Sequence, residues 1–160
     1  MDKKTKLLLL AVLAFGLIIR LIFFNGMGTS DDLWYSQIAN RFSNGDFTIE
    51  PNQINSRIGL LLPVSFFYSI FGVNDFSSIF FSLLVSLAGI VLIFFFGKLL
   101  FNEKTGLVAA FLISFFPLDV LYSTRLLSDL PSAFFAALSV FLFLKAEKNG
   151  KKNIHWLYSG

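Results

Sequence analysis

The sequence FSSIFFSLLVSLAGIVLIFFF, residues 76–96, runs for 21 residues without a charged side chain. An α-helix rises about 1.5 Å per residue, so a helix of this length covers roughly the 30 Å hydrocarbon core of a bilayer. Within lipid every backbone polar group must be satisfied internally, which a helix achieves by itself. The run therefore predicts a transmembrane helix, and the rest of the fold is interpreted around it.

The composition of the whole chain agrees with a membrane protein. Of its 160 residues, 56% are hydrophobic and 14% are charged, and the mean hydropathy is +0.74. Soluble domains carry about 25% charged residues, so we expect an integral membrane protein in contact with membrane lipids. The chain has no Cys, which excludes disulfides and thiolate metal sites. Its lysines lie in short clusters beside apolar segments, as membrane topology requires, and no nucleic-acid partner is predicted.

Three further segments have the length and apolarity of spans. The first contains a single charge, Arg20, near its end, and the third contains only Asp119. The four predicted spans are residues 7–24, 76–97, 106–124 and 130–146. A further span is predicted to begin at Ile154.

The segment 59–71 is ambiguous by length, and the lysines decide its placement. As a helix its 13 residues cover about 20 Å, short of the hydrocarbon core. If the segment does not span, all nine lysines fall on one side of the membrane. The positive-inside rule favours this arrangement, with a cytoplasmic N-terminus. The predicted fold is an all-α, polytopic transmembrane helix bundle of about four spans, whose outer loop, residues 25–75, carries juxtamembrane helices.

The outer loop contains TSDDLWYSQIANRFSNG, residues 29–45, which has the pattern of an amphipathic helix. Its N-cap candidates are Thr29, Ser30 and Asp31, its apolar stripe is Trp34, Ile38 and Phe42, and its stop signal is Gly45. The adjacent carboxylates Asp31 and Asp32 admit two compatible interpretations. They stabilise the start of the helix, or one of them is a general base, since a rigid carboxylate beside a low-dielectric region and a like charge suits that role.

Other charges are predicted to lie at the same membrane face. Arg125 and Asp129, four residues apart, form a loop ion pair or serve function, because charges at the edge of a membrane bundle are costly. Arg57 is an interfacial anchor or a phosphate ligand, since a planar guanidinium matches phosphate oxygens. Asp119 is interpreted as a cap or a snorkelling residue, and His155 as an interfacial residue.

Taken in order, these residues resemble the N-terminal part of the GT-C superfamily of polytopic glycosyltransferases, in the protein O-mannosyltransferase and lipid A aminoarabinose-transferase branch. The resemblance rests on a D-[DE]-x-x-Y-x-x-[IA]-A pattern followed by NGDF, RIG, FGVNDFSSIF and RLLSDLPSAFF. The pattern is filled by Asp31, Asp32, Tyr35, Ile38 and Ala39. The match extends over essentially the whole chain. It implies an N-terminal transmembrane module of a larger enzyme, residues 1–160, so we expect a truncated chain that is inactive alone.

The resemblance implies an inverting transfer of a sugar from a polyprenyl-phosphate (or -diphosphate) donor. The acceptor is a hydroxyl of a protein or glycolipid at the extracytoplasmic face of the cell membrane, or of the endoplasmic reticulum in a eukaryote. Asp31 matches the catalytic carboxylate and is the expected general base. Asp32 belongs to the same catalytic pair, although relatives often have Glu there, and Tyr35 is expected to line the site.

The resemblance also implies substrate-binding residues. Arg57 and Arg125 are expected to contact the lipid phosphate. Asp129 matches an acidic position that some branches use for a metal, but the fuller metal pattern has two acidic residues and this chain has one. No metal site is assigned, and a divalent metal is the one cofactor that the resemblance suggests.

The residues leave a function of another class open. A non-catalytic membrane protein, such as a transporter-like, lipid-binding or assembly subunit, would use its carboxylates to line a pathway or to cap helices. A pathway predicts acids facing each other at mid-membrane depth, whereas these carboxylates are predicted at one face, which favours an enzyme. A membrane-embedded hydrolase is disfavoured because no Ser/His or metal-ligand spacing supports it.

Overall fold

The computed structural model describes residues 1–24, 26–28, 31–49 and 57–148, and this part of the chain is helical without strands. The helices are α1 (Lys3–Ile22), α2 (Asp31–Ser43), α3 (Ile58–Phe71), α4 (Asp75–Leu100), α5 (Glu103–Ser114), α6 (Pro117–Ser123) and α7 (Asp129–Lys148). Helices α1, α4 and α7 are each long and apolar enough to cross a membrane. With α5 and α6 counted as one broken span, the candidates number four, which confirms the predicted all-α, polytopic bundle.

The third predicted span, 106–124, differs from a continuous helix. The chain bends by 61° between α5 and α6. Pro117 is at the first position of α6, and Phe116 before it has φ −63° and ψ 122°, an extended conformation. Proline disfavours the α conformation at the preceding residue, so α5 ends and α6 starts in a new direction.

Helices α4 and α5 form a hairpin in which their backbones touch. A Cβ built on Gly97 would lie 2.5 Å from the Cα of Gly106, so neither position has room for a side chain. Such contacts between small residues are a common way for helices to associate in membranes. Asn102, in the turn of the hairpin, is the N-cap of α5. Its side chain accepts a hydrogen bond from the backbone N–H of Thr105 at 2.9 Å.

The described lysines beyond the first helix lie at the end of the bundle that holds the N-terminus, here called the lysine end. The terminal amino group is 3.4 Å from the Glu103 carboxylate, which also accepts from Lys98 at 2.6 Å. Lys148, the last residue of α7, donates to the carbonyl of Leu99 at 2.6 Å. The chain therefore begins at the end where α4 and α7 finish. Lys151, Lys152 and the span predicted from Ile154 lie outside the described residues.

Helices α2 and α3 pack on each other at the opposite end, where α3 also packs on the first half of α4. Their shared core consists of Tyr35, Ile38, Ala39, Phe42, Leu60, Leu61, Val64, Tyr68 and Leu126. The predicted amphipathic helix is present, and Gly45, with φ +84°, follows its end. The prediction that Trp34 belongs to the buried apolar stripe was wrong, because Trp34 is 57% exposed. The buried apolar residues of this helix begin one position later, at Tyr35. Thr29 and Ser30, two of the N-cap candidates, lie outside the described residues.

Candidate active site at the polar end of the bundle

The centre of the candidate site is the side chain of Arg57, which precedes α3. Its Nη1 donates to the hydroxyl of Ser128 at 2.6 Å and to the phenol of Tyr35. Its Cζ also lies 5.4 Å from the centre of the Tyr35 ring, in a cation–π arrangement. The structure thus brings together two predicted site residues, Arg57 and Tyr35, with Ser128, which sequence reasoning missed. We call the end of the bundle that holds these three residues the polar end.

Tyr35 is fully buried beneath the exposed Arg57 side chain. Burial raises the pKa of the Tyr35 phenol above its ordinary value of 10.0, while the positive charge of Arg57 and the hydrogen bond with Ser128 oppose this rise. The negative charges of Asp31 and Asp129 raise the pKa further, so both carboxylates lie within electrostatic reach of the phenol. Tyr35 is therefore a neutral hydrogen-bonding group at physiological pH.

The two carboxylates of the acidic pair have different environments. Asp31 is exposed at the start of α2, whereas Asp32 is only 2% exposed. The buried Asp32 carboxylate accepts a hydrogen bond from the backbone N–H of Gly28 at 2.7 Å. Buried polar groups need hydrogen-bond partners, and the Gly28 N–H supplies one to Asp32. Of the predicted catalytic pair, only Asp31 is exposed at the surface of the described structure.

Arg125 approaches the same part of the site from the segment between α6 and α7. A Cβ built on Gly28 would lie 2.6 Å from Arg125 Nη1 and 2.8 Å from Asp32 Oδ2. The guanidinium and the carboxylate therefore meet over Gly28, and a side chain at this position would displace one of them. Arg125 itself is exposed, and its neighbour Leu126 is fully buried in the core of α2 and α3.

A cleft of about 350 Å³ opens beside Arg57. Its walls combine apolar side chains with hydroxyl groups and one guanidinium. The lining residues are Arg57, Gly59, Leu60, Ser128, Pro131, Ser132 and Phe135. Asp129, in the first turn of α7, is exposed and is not among them. A cleft with one cationic group and apolar walls suits an anionic head on a hydrocarbon chain.

Comparison with known proteins identifies the family. A family model described as dolichyl-phosphate-mannose-protein mannosyltransferase matches residues 60–160. The chain belongs to this mannosyltransferase family. The match confirms the resemblance to GT-C glycosyltransferases and indicates glycosyltransferase activity. No curated protein and no solved structure gives a significant match to the chain.

The mannosyltransferase match includes Arg125, Ser128 and Asp129 but begins after Arg57. The roles of Asp31, Asp32, Tyr35 and Arg57 therefore depend on the resemblance in the first loop and on the geometry of the polar end, and they stay predictions.

A buried ion pair below the site was not predicted. Arg20, in α1, is fully buried, and its guanidinium is paired with the carboxylate of Asp119, in α6. The interpretation of Asp119 as a cap or snorkelling residue was wrong in one respect, because its charge is paired inside the protein. The sequence contains a signal for this pair: the predicted spans 7–24 and 106–124 each carry a single charge, and the two charges are of opposite sign. Charges in membrane segments usually pair.

The described residues do not assemble a metal site. Within residues 1–24, 26–28, 31–49 and 57–148, there is no group of three or more His, Cys, Asp or Glu side chains able to hold an ion. His155 lies outside the described residues.

Proposed function

We propose that the polar end transfers a sugar, mannose by family membership, from a polyprenyl-phosphate donor to an acceptor hydroxyl of a protein or glycolipid. The observation that carries this proposal is the Arg57–Tyr35–Ser128 cluster. It joins the first loop to the start of α7, beside a cleft with apolar walls and within electrostatic reach of the exposed Asp31. The identity of the donor, the identity of the acceptor and the orientation of the polar end in the membrane all belong to this proposal.

In the proposed reaction Asp31 is the general base. It accepts the proton of the acceptor hydroxyl as that oxygen attacks the anomeric carbon of the sugar. The bond between this carbon and the phosphate oxygen breaks, and the polyprenyl phosphate leaves with the bonding electrons, which inverts the anomeric configuration. A general base needs contact with its substrate, and the exposed Asp31 meets that need. Asp32, buried against Gly28, supports the loop that carries Asp31.

Arg57 is the proposed ligand of the donor phosphate. The leaving phosphate gains negative charge in the transition state, and a preorganised guanidinium stabilises that charge. Tyr35 and Ser128 fix the guanidinium at the mouth of the cleft, whose apolar walls, Leu60 and Phe135, suit the first isoprene units. Arg125 is a second cation near Asp32. Asp129, exposed in the first turn of α7, is proposed to bind substrate.

No step of this reaction is assigned to a metal, because the described residues present no suitable set of ligands. The Asp129 carboxylate alone does not make such a set. Charge stabilisation is assigned to Arg57 and Arg125, as cationic side chains serve this purpose at phosphate groups.

We place the lysine end in the cytoplasm and the polar end at the extracytoplasmic face. The N-terminus, the α4–α5 turn and the end of α7 lie together and carry the described lysines. The positive-inside rule assigns such an end to the cytoplasm. Acceptors on the far side of the membrane then meet Asp31 without crossing the bilayer.

The proposal is tested by giving membranes that contain the protein, expressed from its complete reading frame, two labelled donors in parallel. One is polyprenyl-phosphate mannose and the other is a nucleotide-linked mannose, each with serine- and threonine-containing peptides as acceptors. We expect label to move from the lipid-linked donor alone. Transfer from the nucleotide sugar only, or binding of the lipid without transfer, would contradict the proposed reaction, and the second result would favour a lipid-binding function.

A further inference from the structure

The side chain of Arg20 is fully buried and binds three helices besides its own turn. It donates to the hydroxyl of Ser86 in α4 and to the carbonyl of Ser114 in α5, both at 2.8 Å. Its remaining contacts are the carboxylate of Asp119 in α6 and the carbonyl of Gly16 in α1. Asp119 also accepts from the Ser86 hydroxyl, which closes the network.

These partners lie on both sides of the 61° bend between α5 and α6. Ser114 is the last residue of α5, and Asp119 is in the first turn of α6. The end of a helix leaves carbonyl groups without intrahelical partners, and Arg20 supplies one such partner at Ser114. The same guanidinium also pairs with the carboxylate of Asp119 and so contacts α6. Arg20, which belongs to α1, therefore contacts both sides of the break between α5 and α6 and braces it.

The space for this guanidinium is created by a small residue. A Cβ built on Gly16 would lie 2.8 Å from Ile90 Cδ1 and 3.1 Å from Arg20 Nη1. Gly16 thus allows α1 to approach α4 while the Arg20 side chain folds back along its own helix.

The direction of α6 determines where the following segment lies. Helix α6 ends at Ser123, and within five residues the chain places Leu126 in the α2–α3 core and Ser128 on Arg57. Arg125, just before Leu126, reaches Gly28. Few residues separate the brace from the site, so a change in the direction of α6 would move all three contacts together.

We propose that the Arg20–Asp119 pair is a positioning device that sets the bend between α5 and α6 and so presents residues 124–128 to the polar end. The placement of this segment follows from the structure alone. Its consequence for sugar transfer rests on the proposed function. The pair is not proposed to touch the substrate.

The physical chemistry of buried ion pairs provides a way to separate positioning from stability. Removing one partner leaves a buried charge uncompensated and destabilises the protein, whereas replacing both partners with apolar residues is often neutral or stabilising. Arg20→Met with Asp119→Leu removes the brace without leaving an unpaired charge. Arg20→Met alone removes the brace and strands the Asp119 carboxylate.

The test uses a thiol reporter, because the 160 residues contain no Cys. Leu126→Cys places a thiol on the braced segment, and Ala39→Cys places one on α2; both native side chains are fully buried in the same core. Each reporter is labelled with a membrane-impermeant maleimide in the full chain, with the reporter-free chain as background. We expect about tenfold faster labelling at position 126 in the double variant, through more frequent local opening, with position 39 unchanged.

Three results decide the proposal. Faster labelling at position 126 in the double variant, with protection retained at position 39, supports it. Parent-rate labelling of position 126 in the double variant overturns it, because the bend then forms without the brace. Equal loss of protection at both reporters also overturns it, since the pair would then support the whole core. Because labelling needs no turnover, a failure of the proposed reaction leaves this test intact. If the enzyme is active, we expect the double variant to raise the KM for the donor more than it lowers kcat.

Discussion

Arg57 and Ser128 are 71 positions apart in the chain, and the guanidinium of one donates to the hydroxyl of the other at 2.6 Å. This hydrogen bond joins the segment before α3 to the segment before α7. It also fixes a cation at the mouth of the 350 Å³ cleft. Two loops that each carry charges and polar groups are thereby combined into one site.

Replacing Arg57 with alanine removes the cation proposed to bind the donor phosphate. A hydrogen bond to a charged group contributes about 1.5–3 kcal/mol, so we expect kcat/KM for the lipid-linked donor to fall by roughly 10- to 100-fold. Arg57→Lys keeps the charge but loses the planar fork, and we expect it to recover part of the loss. The control is Arg41→Ala, an arginine of the same helical module whose side chain pairs with Asp46 and donates to the carbonyl of Thr48. An equal loss in both alanine variants would contradict the assignment.

The Tyr35 phenol is expected to titrate above pH 10. Its pKa is raised mainly by burial, so the folded state holds the proton more tightly than the unfolded state does. The associated stability is complete below the ordinary pKa of 10.0 and is lost as the pH rises through the folded value. The measurement is the phenolate absorbance of the parent protein minus that of Tyr35→Phe. Arg57→Ala should move the midpoint higher, because Arg57 lowers this pKa. A midpoint at or below 10 would show that Arg57 outweighs burial.

Gly28→Ala is expected to disturb the site by steric contact. The new methyl group would lie 2.6 Å from Arg125 Nη1 and 2.8 Å from Asp32 Oδ2. Arg125 is exposed and able to swing away, whereas Asp32 is buried and hydrogen-bonded to Gly28 itself. We expect a loss of about 1–3 kcal/mol in the free energy of unfolding, together with reduced transfer. Gly89→Ala is the matched control, because open space surrounds that position. Identical behaviour of the two variants would refute the steric argument.

The orientation of the bundle is testable with single cysteines at its two ends. Asn44→Cys places a thiol just after α2, and Phe101→Cys places one at the exposed end of α4. In sealed, right-side-out vesicles we expect an impermeant maleimide to label position 44 alone, and to label both positions after permeabilisation. Labelling of both thiols from the same side of sealed vesicles would rule out the proposed orientation.

The sequence predicted the structure correctly where a single segment determines its own secondary structure. The charge-free run 76–96 forms the centre of α4, and the 13-residue segment 59–71 before it, too short for a span, forms most of α3. The pattern in the first loop brought Tyr35 and Arg57 into the candidate list, and they are in contact. In each case the signal is local: a length, a period or a spacing along the chain.

Other features depend on contacts between distant segments, and the sequence does not specify those pairings. Asp31 and Asp32 are neighbours in the chain, but Asp32 is buried and hydrogen-bonded to Gly28, whereas Asp31 is exposed. Ser128 belongs to no pattern that distinguishes it in the sequence, and its contact with Arg57 exists only in the folded chain. Pro117 is visible in the sequence, but a proline is compatible with both a kinked and a broken span. The 61° bend lies beside the Arg20–Asp119 contact, which joins residues 99 positions apart.

The central claim is that Asp31 is the general base of a sugar transfer at the polar end. The most direct measurement is the rate of mannose transfer from a polyprenyl-phosphate donor by Asp31→Asn, in protein expressed from its complete reading frame, beside Asp46→Asn. Asp46 is an exposed carboxylate of the same module that pairs with Arg41. A positioned base contributes about 10²–10⁴-fold, so we expect a loss of that size in Asp31→Asn, with parent expression and parent activity in Asp46→Asn. Near-normal transfer by Asp31→Asn would contradict the account.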